Sequence, residues 1–234
     1  MFMKKTIGII GGLGSLATCD IMQKIISLTD AATDQDYLHL VVDCNTKIPD
    51  RTKAILGTGV SPVPQMVRSG IRLQAMGADV LIMPCNTAHY FYKNLVPYFD
   101  IPLLNMIEET ISYLRTTGIH KAGLLASTGT ISSKIYQLAA KDSKLELLTP
   151  SEDGQKSVMD IIYKGVKAGK RDFPINTFCD TADKLLEEGA QTLILGCTEL
   201  PLAMEMYHLN YPVTDPTKLL AKAAIHYCGG VIRN

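Results

Sequence analysis

Short apolar runs alternate along the chain with longer segments whose apolar residues recur at helical spacing, the pattern of strands and helices in an α/β protein. Thr6 to Ile10 predicts a first buried strand, and Gly11-Gly12-Leu13-Gly14-Ser15 a tight turn into a helix ending near Thr29. Leu38 to Val42 predicts a second strand, which empties into the polar loop Asp43 to Arg51. Ser61 caps a predicted helix from about Pro62 to Met76, with Val67, Ile71 and Leu73 on its apolar face. A strand ending at Cys85, a short helix from about Ala88, a strand Pro102 to Asn105 and a helix from Ile107 to about Thr116 follow. The pattern then restarts with a strand Lys121 to Ala126, a hydroxyl-rich turn Ser127 to Thr130 and a strand Leu145 to Leu148. After these come helices Gln155 to about Ala168 and Thr177 to Glu188, a strand ending at Cys197, a strand Pro212 to Thr214 and a helix Pro216 to Tyr227.

One stretch occurs twice: Gly77-Ala-Asp-Val-Leu-Ile-Met-Pro-Cys85-Asn-Thr87 and Gly189-Ala-Gln-Thr-Leu-Ile-Leu-Gly-Cys197-Thr-Glu199. Gly77 and Gly189, Leu81 and Leu193, and Cys85 and Cys197 keep one offset of 112 residues. This register implies an internal duplication and two parallel-sheet α/β domains related by a pseudo-two-fold axis. The expected division is residues 1–105 with 210–234 as the first domain and 106–209 as the second. Ligands of such sheets bind outside the carboxyl ends of strands, so the active site is expected in the cleft between the domains.

Composition narrows the chemistry. The chain has 234 residues, with 23 Lys plus Arg balancing 23 Asp plus Glu, and this gives no electrostatic footprint for nucleic acid or an anionic membrane. A small neutral or anionic ligand fits better. No apolar run approaches the roughly 20 residues of a membrane span. Lys4-Lys5 before an apolar stretch ending at Cys19 resembles a lipoprotein signal, but Gly8, Gly11, Gly12 and Gly14 break it, and strand, turn and helix explain it better. The six cysteines show neither CxxC spacing nor a histidine cluster, which argues against disulfides or zinc and for a reducing cytoplasm.

Cysteine is among the most buried residue types, and packing is the default reading for Cys19, Cys44, Cys179 and Cys228. Cys85 and Cys197 differ because each ends a duplicated strand where the chain turns toward a helix, a setting that activates a thiol. Two like acid/base groups about a pseudo-two-fold axis suit inversion of a stereocentre, one thiolate removing a proton while the opposite thiol delivers one. Arg51 is a candidate carboxylate clamp. Lys164 and Lys167 lie one helical turn apart, and His89 reads as structural or supporting. A competing reading takes Gly12-x-Gly14-x-x-Ala17 with Asp43 as a dinucleotide fingerprint of an NAD-binding oxidoreductase, but leaves the duplicated cysteines unexplained.

Taken together, Gly11-Gly12-Leu13-Gly14, Asn45-x-x-Ile-Pro-Asp-Arg51-Thr52, Pro84-Cys-Asn-Thr-Ala-His89, Val166-Lys167-Ala-Gly169 and Gly196-Cys-Thr-Glu-Leu200 resemble the aspartate/glutamate racemase family, and most of all its aspartate racemases. The resemblance implies a cofactor-independent amino-acid racemase, a homodimer without a metal, acting on a small dicarboxylic amino acid. By the same likeness Cys85 and Cys197 are the catalytic pair, and Arg51 and Lys167 the carboxylate-binding cations. Leu13, Asn86, Thr87, Thr128, Thr130, Thr198 and Glu199 are the rest of the pocket. Glu199 stands where wall-synthesis glutamate racemases usually carry histidine, which disfavours that branch. Maleate isomerase and hydantoin racemase remain alternatives within the superfamily, since fold does not fix function.

Overall fold

The computed structural model describes residues 4–233. It divides into two compact units, Met1–Glu109 with Thr217–Asn234, and Thr110–Pro216. The first unit contains β1 (Ile7–Gly11), α1 (Ser15–Leu28), β2 (Leu40–Cys44), α2 (Arg51–Ile55), α3 (Val63–Ala75), β3 (Val80–Ile82) and α4 (Tyr92–Leu95). α5 (Met106–Thr116) leads into the second unit, which holds β4 (Lys121–Ala126), α6 (Thr128–Ser133), α7 (Ile135–Ala139), β5 (Glu146–Leu148), α8 (Glu152–Asp160), α9 (Asn176–Glu187), β6 (Thr192–Gly196), α10 (Glu199–Met206) and β7 (Val213–Thr214). α11 (Pro216–Tyr227) returns to the first unit.

All named strands pair in parallel, in the order β2-β1-β3 in one sheet and β5-β4-β6-β7 in the other. Each chain path therefore reverses direction across its sheet at one point, between β1 and β3 and between β4 and β6, where α/β sheets open a crevice. The period-two alternation of a strand sends successive side chains to opposite faces. Leu81 accordingly packs with Ile10, Met66 and Leu73 on the α3 side. Val80 and Ile82 pack with Ile7, Ile9, Ile21 and Ile25 on the α1 side, where Leu220, Ala224 and Ile225 of α11 complete the layer. Leu125, Leu193 and Leu195 form the matching core of the second unit with Val158, Phe178, Ala182 and Leu185.

The duplication extends to individual backbone bonds. Gly77 and Gly189 both close their helices at positive φ, +86° and +96°, a conformation glycine adopts without steric cost. The next residues bond alike, Ala78 N–H to Leu73 O at 3.1 Å and Ala190 N–H to Leu185 O at 3.0 Å. Asp79 N–H reaches Thr6 O and Gln191 N–H reaches Lys121 O, each at 2.9 Å. A Cβ on Gly8 would lie 3.3 Å from Leu73 Cβ of α3, and one on Gly123 would lie 3.1 Å from Leu185 Cβ of α9, so in both units a glycine lets the helix pack closely on the sheet.

Several expectations are corrected. Pro102 to Asn105 is not a strand but a single bridge between Leu103 and Leu81. Pro102 has no N–H with which to extend a ladder, and offers only its carbonyl to Leu81 N–H at 2.7 Å. The inner face of α3 is Met66, Ser69, Gly70 and Leu73, while Ile71 is exposed. The helix expected from Gln155 begins earlier, at Glu152, because Ser151 caps it through Gly154 N–H at 3.3 Å. From Ile161 to Val166 it widens into a π-helical turn, with Lys167 N–H bonding five residues back to Ile162 O at 3.0 Å. Arg51 is not a loop residue. It opens α2, for which the Asp50 carboxylate is the N-cap, accepting from Lys53 N–H at 2.8 Å. Cys19 and Cys44, expected to pack inside, are exposed because α1 and the end of β2 turn them outward.

Candidate active site

In the first unit the reversal point is built from the glycine turn after β1 and the segment after β3. Gly12 has φ +78°, and a Cβ there would fall 2.3 Å from the Asn45 carbonyl carbon, so glycine lets the two loops meet. Gly12 N–H donates to Thr18 Oγ1 at 2.9 Å, and Asp43 pairs with Arg72 at 3.5 Å. Gly12 and Asp43, two of the residues on which a dinucleotide reading leans, are thus engaged inside the unit. Arg51 spreads its guanidinium over three carbonyls: Nη1 donates to Ile48 O at 3.2 Å and Pro49 O at 2.9 Å, and Nη2 to Leu13 O. Its Nε is buried and has no partner among the described atoms.

Cys85 follows β3 at the same reversal point and is 9% exposed. Its carbonyl accepts from Ala88 N–H at 3.2 Å and from the His89 ring at 2.9 Å. Met106 N–H donates to His89 Nε2 at 3.1 Å, which makes Nε2 the acceptor and leaves the ring proton on Nδ1, pointing at Cys85 O. Burial lowers the His89 pKa to about 4, so the ring is a neutral strut between the cysteine loop and the start of α5. Asn86 and Thr87 continue the segment and are buried.

In the second unit Cys197 follows β6 with the same local bonding, Leu200 N–H reaching Cys197 O at 2.9 Å. Here the sulfur itself is engaged, its S–H lying 2.9 Å from Glu199 Oε2. Thr198 Oγ1 donates to that oxygen at 3.4 Å, and Lys167 Nζ lies 3.4 Å from Oε1. Glu199 is 4% exposed, a buried carboxylate with a lysine and two donors around it. Burial, then the Glu199 charge and its hydrogen bond, push the Cys197 thiol well above its usual range, and Lys167 pulls the other way. Lys167 also sits 4.6 Å above the Tyr163 ring. The π-helical turn sets its direction, packed on Tyr207, whose hydroxyl donates to Lys170 O at 2.6 Å. Lys164, its neighbour in sequence, is instead a surface partner of Asp160 at 2.8 Å.

Across β4, Ser127 caps α6 through Thr130 N–H at 3.4 Å, and Thr130 is fully buried with its hydroxyl 3.3 Å from Ser127 Oγ. Thr128 N–H donates to the Met159 sulfur at 3.2 Å, a weak acceptor. The structure therefore places Leu13, Arg51, Cys85, Asn86 and Thr87 about one reversal point, and Thr128, Thr130, Lys167, Cys197, Thr198 and Glu199 about the other. Two contacts escaped sequence reasoning. The four-residue spacing of Tyr163 and Lys167 carried a signal for the cation–π pair, and the Cys-x-Glu spacing one for the thiol–carboxylate contact. Among the described residues no group of three or more His, Cys, Asp or Glu side chains is arranged to hold a metal ion. No helix of the described residues is long and apolar enough to cross a membrane.

The Asp/Glu/Hydantoin racemase family profile matches residues 10–224. The broad specificity amino-acid racemase RacX of Bacillus subtilis (strain 168) is 25% identical over 232 residues, covering 94% of this chain and 96% of that protein. The structure of Picrophilus torridus aspartate racemase superposes with a TM-score of 0.88 at 33% identity, over 98% of this chain and 96% of that one. Glutamate racemase from Francisella tularensis, solved with D-glutamate, shares the fold with a TM-score of 0.70 at 20% identity, over 96% and 81% of the two chains.

Proposed function

Because the chain belongs to the Asp/Glu/hydantoin racemase family, we propose that it inverts the α-carbon of an acidic amino acid, aspartate or glutamate, using two cysteines and no cofactor. One observation carries the reading: both halves of a duplicated scaffold carry a cysteine just after the equivalent strand at the reversal point, with the same backbone bond behind it. In the reaction a thiolate takes the α-proton, so a C–H bond breaks and an S–H bond forms, and the second thiol gives its proton to the opposite face of the carbanion. The reverse reaction exchanges the roles. Arg51 and Lys167 are the candidate partners of the two carboxylates. The buried Nε of Arg51 is a donor in want of an acceptor, and its Nη groups are already braced, so little side-chain entropy is lost on binding. Leu13, Asn86, Thr87, Thr128, Thr130 and Thr198 are proposed to line the same pocket. The likeness to RacX supports a second reading, a wider range of amino acids, and family resemblance supports a cytoplasmic homodimer.

The test is turnover of single enantiomers in deuterated water. Product is expected to carry deuterium at the α-carbon from the first turnovers, while recovered starting enantiomer stays protiated. Cys85→Ala and Cys197→Ala are each expected to abolish racemisation. Early label in the starting enantiomer, or a racemising single-cysteine variant, would overturn the two-base scheme. Equal turnover of alanine and aspartate would favour the broader specificity.

A further inference from the structure

Resting on the racemase reading, we infer that Glu199 is the positioning residue of Cys197: its carboxylate accepts a hydrogen bond from the S–H, Lys167 supplies the counter-charge, and Cys197 rests as a neutral thiol, the proton donor. The argument begins with burial. A carboxylate that is 4% exposed costs several kcal/mol in desolvation unless its surroundings compensate. Here Oε2 accepts from Cys197 Sγ at 2.9 Å and from Thr198 Oγ1 at 3.4 Å, and Oε1 faces Lys167 Nζ at 3.4 Å. Both oxygens are thus committed within the unit. A further carboxylate brought against them would meet like charge, so Glu199 is poorly suited to grip the acid groups of a dicarboxylic substrate directly.

Comparison of the two halves sharpens the point. The position equivalent to Glu199 at the 112-residue offset is Thr87, which is uncharged. The basic side chain nearest to Cys85 in sequence, His89, bonds the cysteine's carbonyl and not its sulfur. The duplication therefore kept the thiols and their backbone settings, and among the described residues the carboxylate contact falls on the Cys197 sulfur. Two-base inversion needs its acid and its base to begin in opposite protonation states. A carboxylate in hydrogen-bond contact favours the neutral thiol through its charge and by accepting the S–H. The other charged and titratable groups acting on Cys197 are Lys167, which opposes Glu199, and the phenol of Tyr136 on α7, itself held neutral by burial. Burial favours the neutral thiol most, and Glu199 adds to it by charge and hydrogen bond.

The test reads Cys197 directly, without turnover. Wild type, Glu199→Gln and Lys167→Gln are treated with limiting iodoacetamide from about pH 6 to about pH 10, a range around the usual thiol pKa. Peptide mass spectrometry then follows alkylation of Cys197 relative to exposed Cys44. Glu199→Gln is expected to raise Cys197 alkylation several-fold near neutral pH and to move its pH midpoint down. Lys167→Gln is expected to slow alkylation and move the midpoint up. Opposite signs are the signature of a charge effect, since loosened packing would speed both. An unmoved midpoint in either variant, or shifts of the same sign, would overturn the proposal. If Glu199→Gln fails to fold, the Lys167→Gln arm alone decides. Failure of racemisation with the alkylation shifts intact would reject the proposed function and leave the thiol–carboxylate coupling standing.

Discussion

His89 should make the protein's stability depend on pH in a way that one substitution removes. Its ring is 5% exposed and held neutral, with burial lowering its pKa to about 4 from the usual 6.5 of a free histidine. Between those values the unfolded chain takes up a proton that the folded one refuses, so stability falls as pH falls. The contribution is complete above about pH 6.5 and is lost progressively toward about pH 4. Linkage over the interval from about pH 7 to about pH 5 amounts to about 2 kcal/mol. His89→Gln has no titrating ring and should lack this component, while other groups cancel in the comparison. At neutral pH the variant should also be less stable by on the order of 1–3 kcal/mol, the cost of losing the ring's two buried hydrogen bonds to Met106 N–H and Cys85 O. Urea unfolding of both proteins at the two pH values, with slopes checked for constancy, measures the difference. The expected result is a wild-type advantage that shrinks by about 2 kcal/mol on acidification. If the two proteins lost stability in parallel, His89 would be titrating freely and could not be the neutral strut behind Cys85.

Gly12→Ala combines a left-handed backbone with a clash against Asn45, and should cost about 2–5 kcal/mol, whereas Gly57→Ala, at φ +73° with open space around it, should cost only about 1–2. Equal losses by chemical denaturation would show that the turn yields to the added methyl. Arg51→Ala should weaken transition-state binding of aspartate by on the order of 2–5 kcal/mol, read from kcat/KM, as for a desolvated ion pair that loses one partner. Wild-type kinetics in that variant would remove Arg51 from the substrate.

The scaffold was legible because it rests on local patterns. The glycines at 77 and 189, the apolar runs between them and the cysteines, and the strand Lys121 to Ala126 announce themselves through turn chemistry and period. Misreadings arose where a tertiary contact outweighs a local preference. Ile71 looked like core, yet Gly70 takes the inner position, because a Cβ there would lie 2.2 Å from Phe99 Cε1, and the helix cannot turn both residues inward. Arg51 read as a loop cation, because an Asp-Arg-Thr helix start five residues long has no periodicity to show. The Glu199 contact was hidden for another reason: spacing tells which residues are neighbours but not which atom of Cys197 the carboxylate meets.

The widened turn at Ile161 to Val166 carries a consequence for the ancestry of the site. Such a turn accommodates one residue more than the α-helical ladder would, and one residue corresponds to roughly 100° of rotation about a helix axis. Lys167 meets Glu199 at the phase set by that surplus. Point substitution can swap the lysine for another side chain but cannot re-aim it, while loss of a single codon upstream would swing the ammonium to a different side of the helix. Relatives that differ in how they hold a carboxylate here are therefore expected to differ in the length of this segment as well as in its residues.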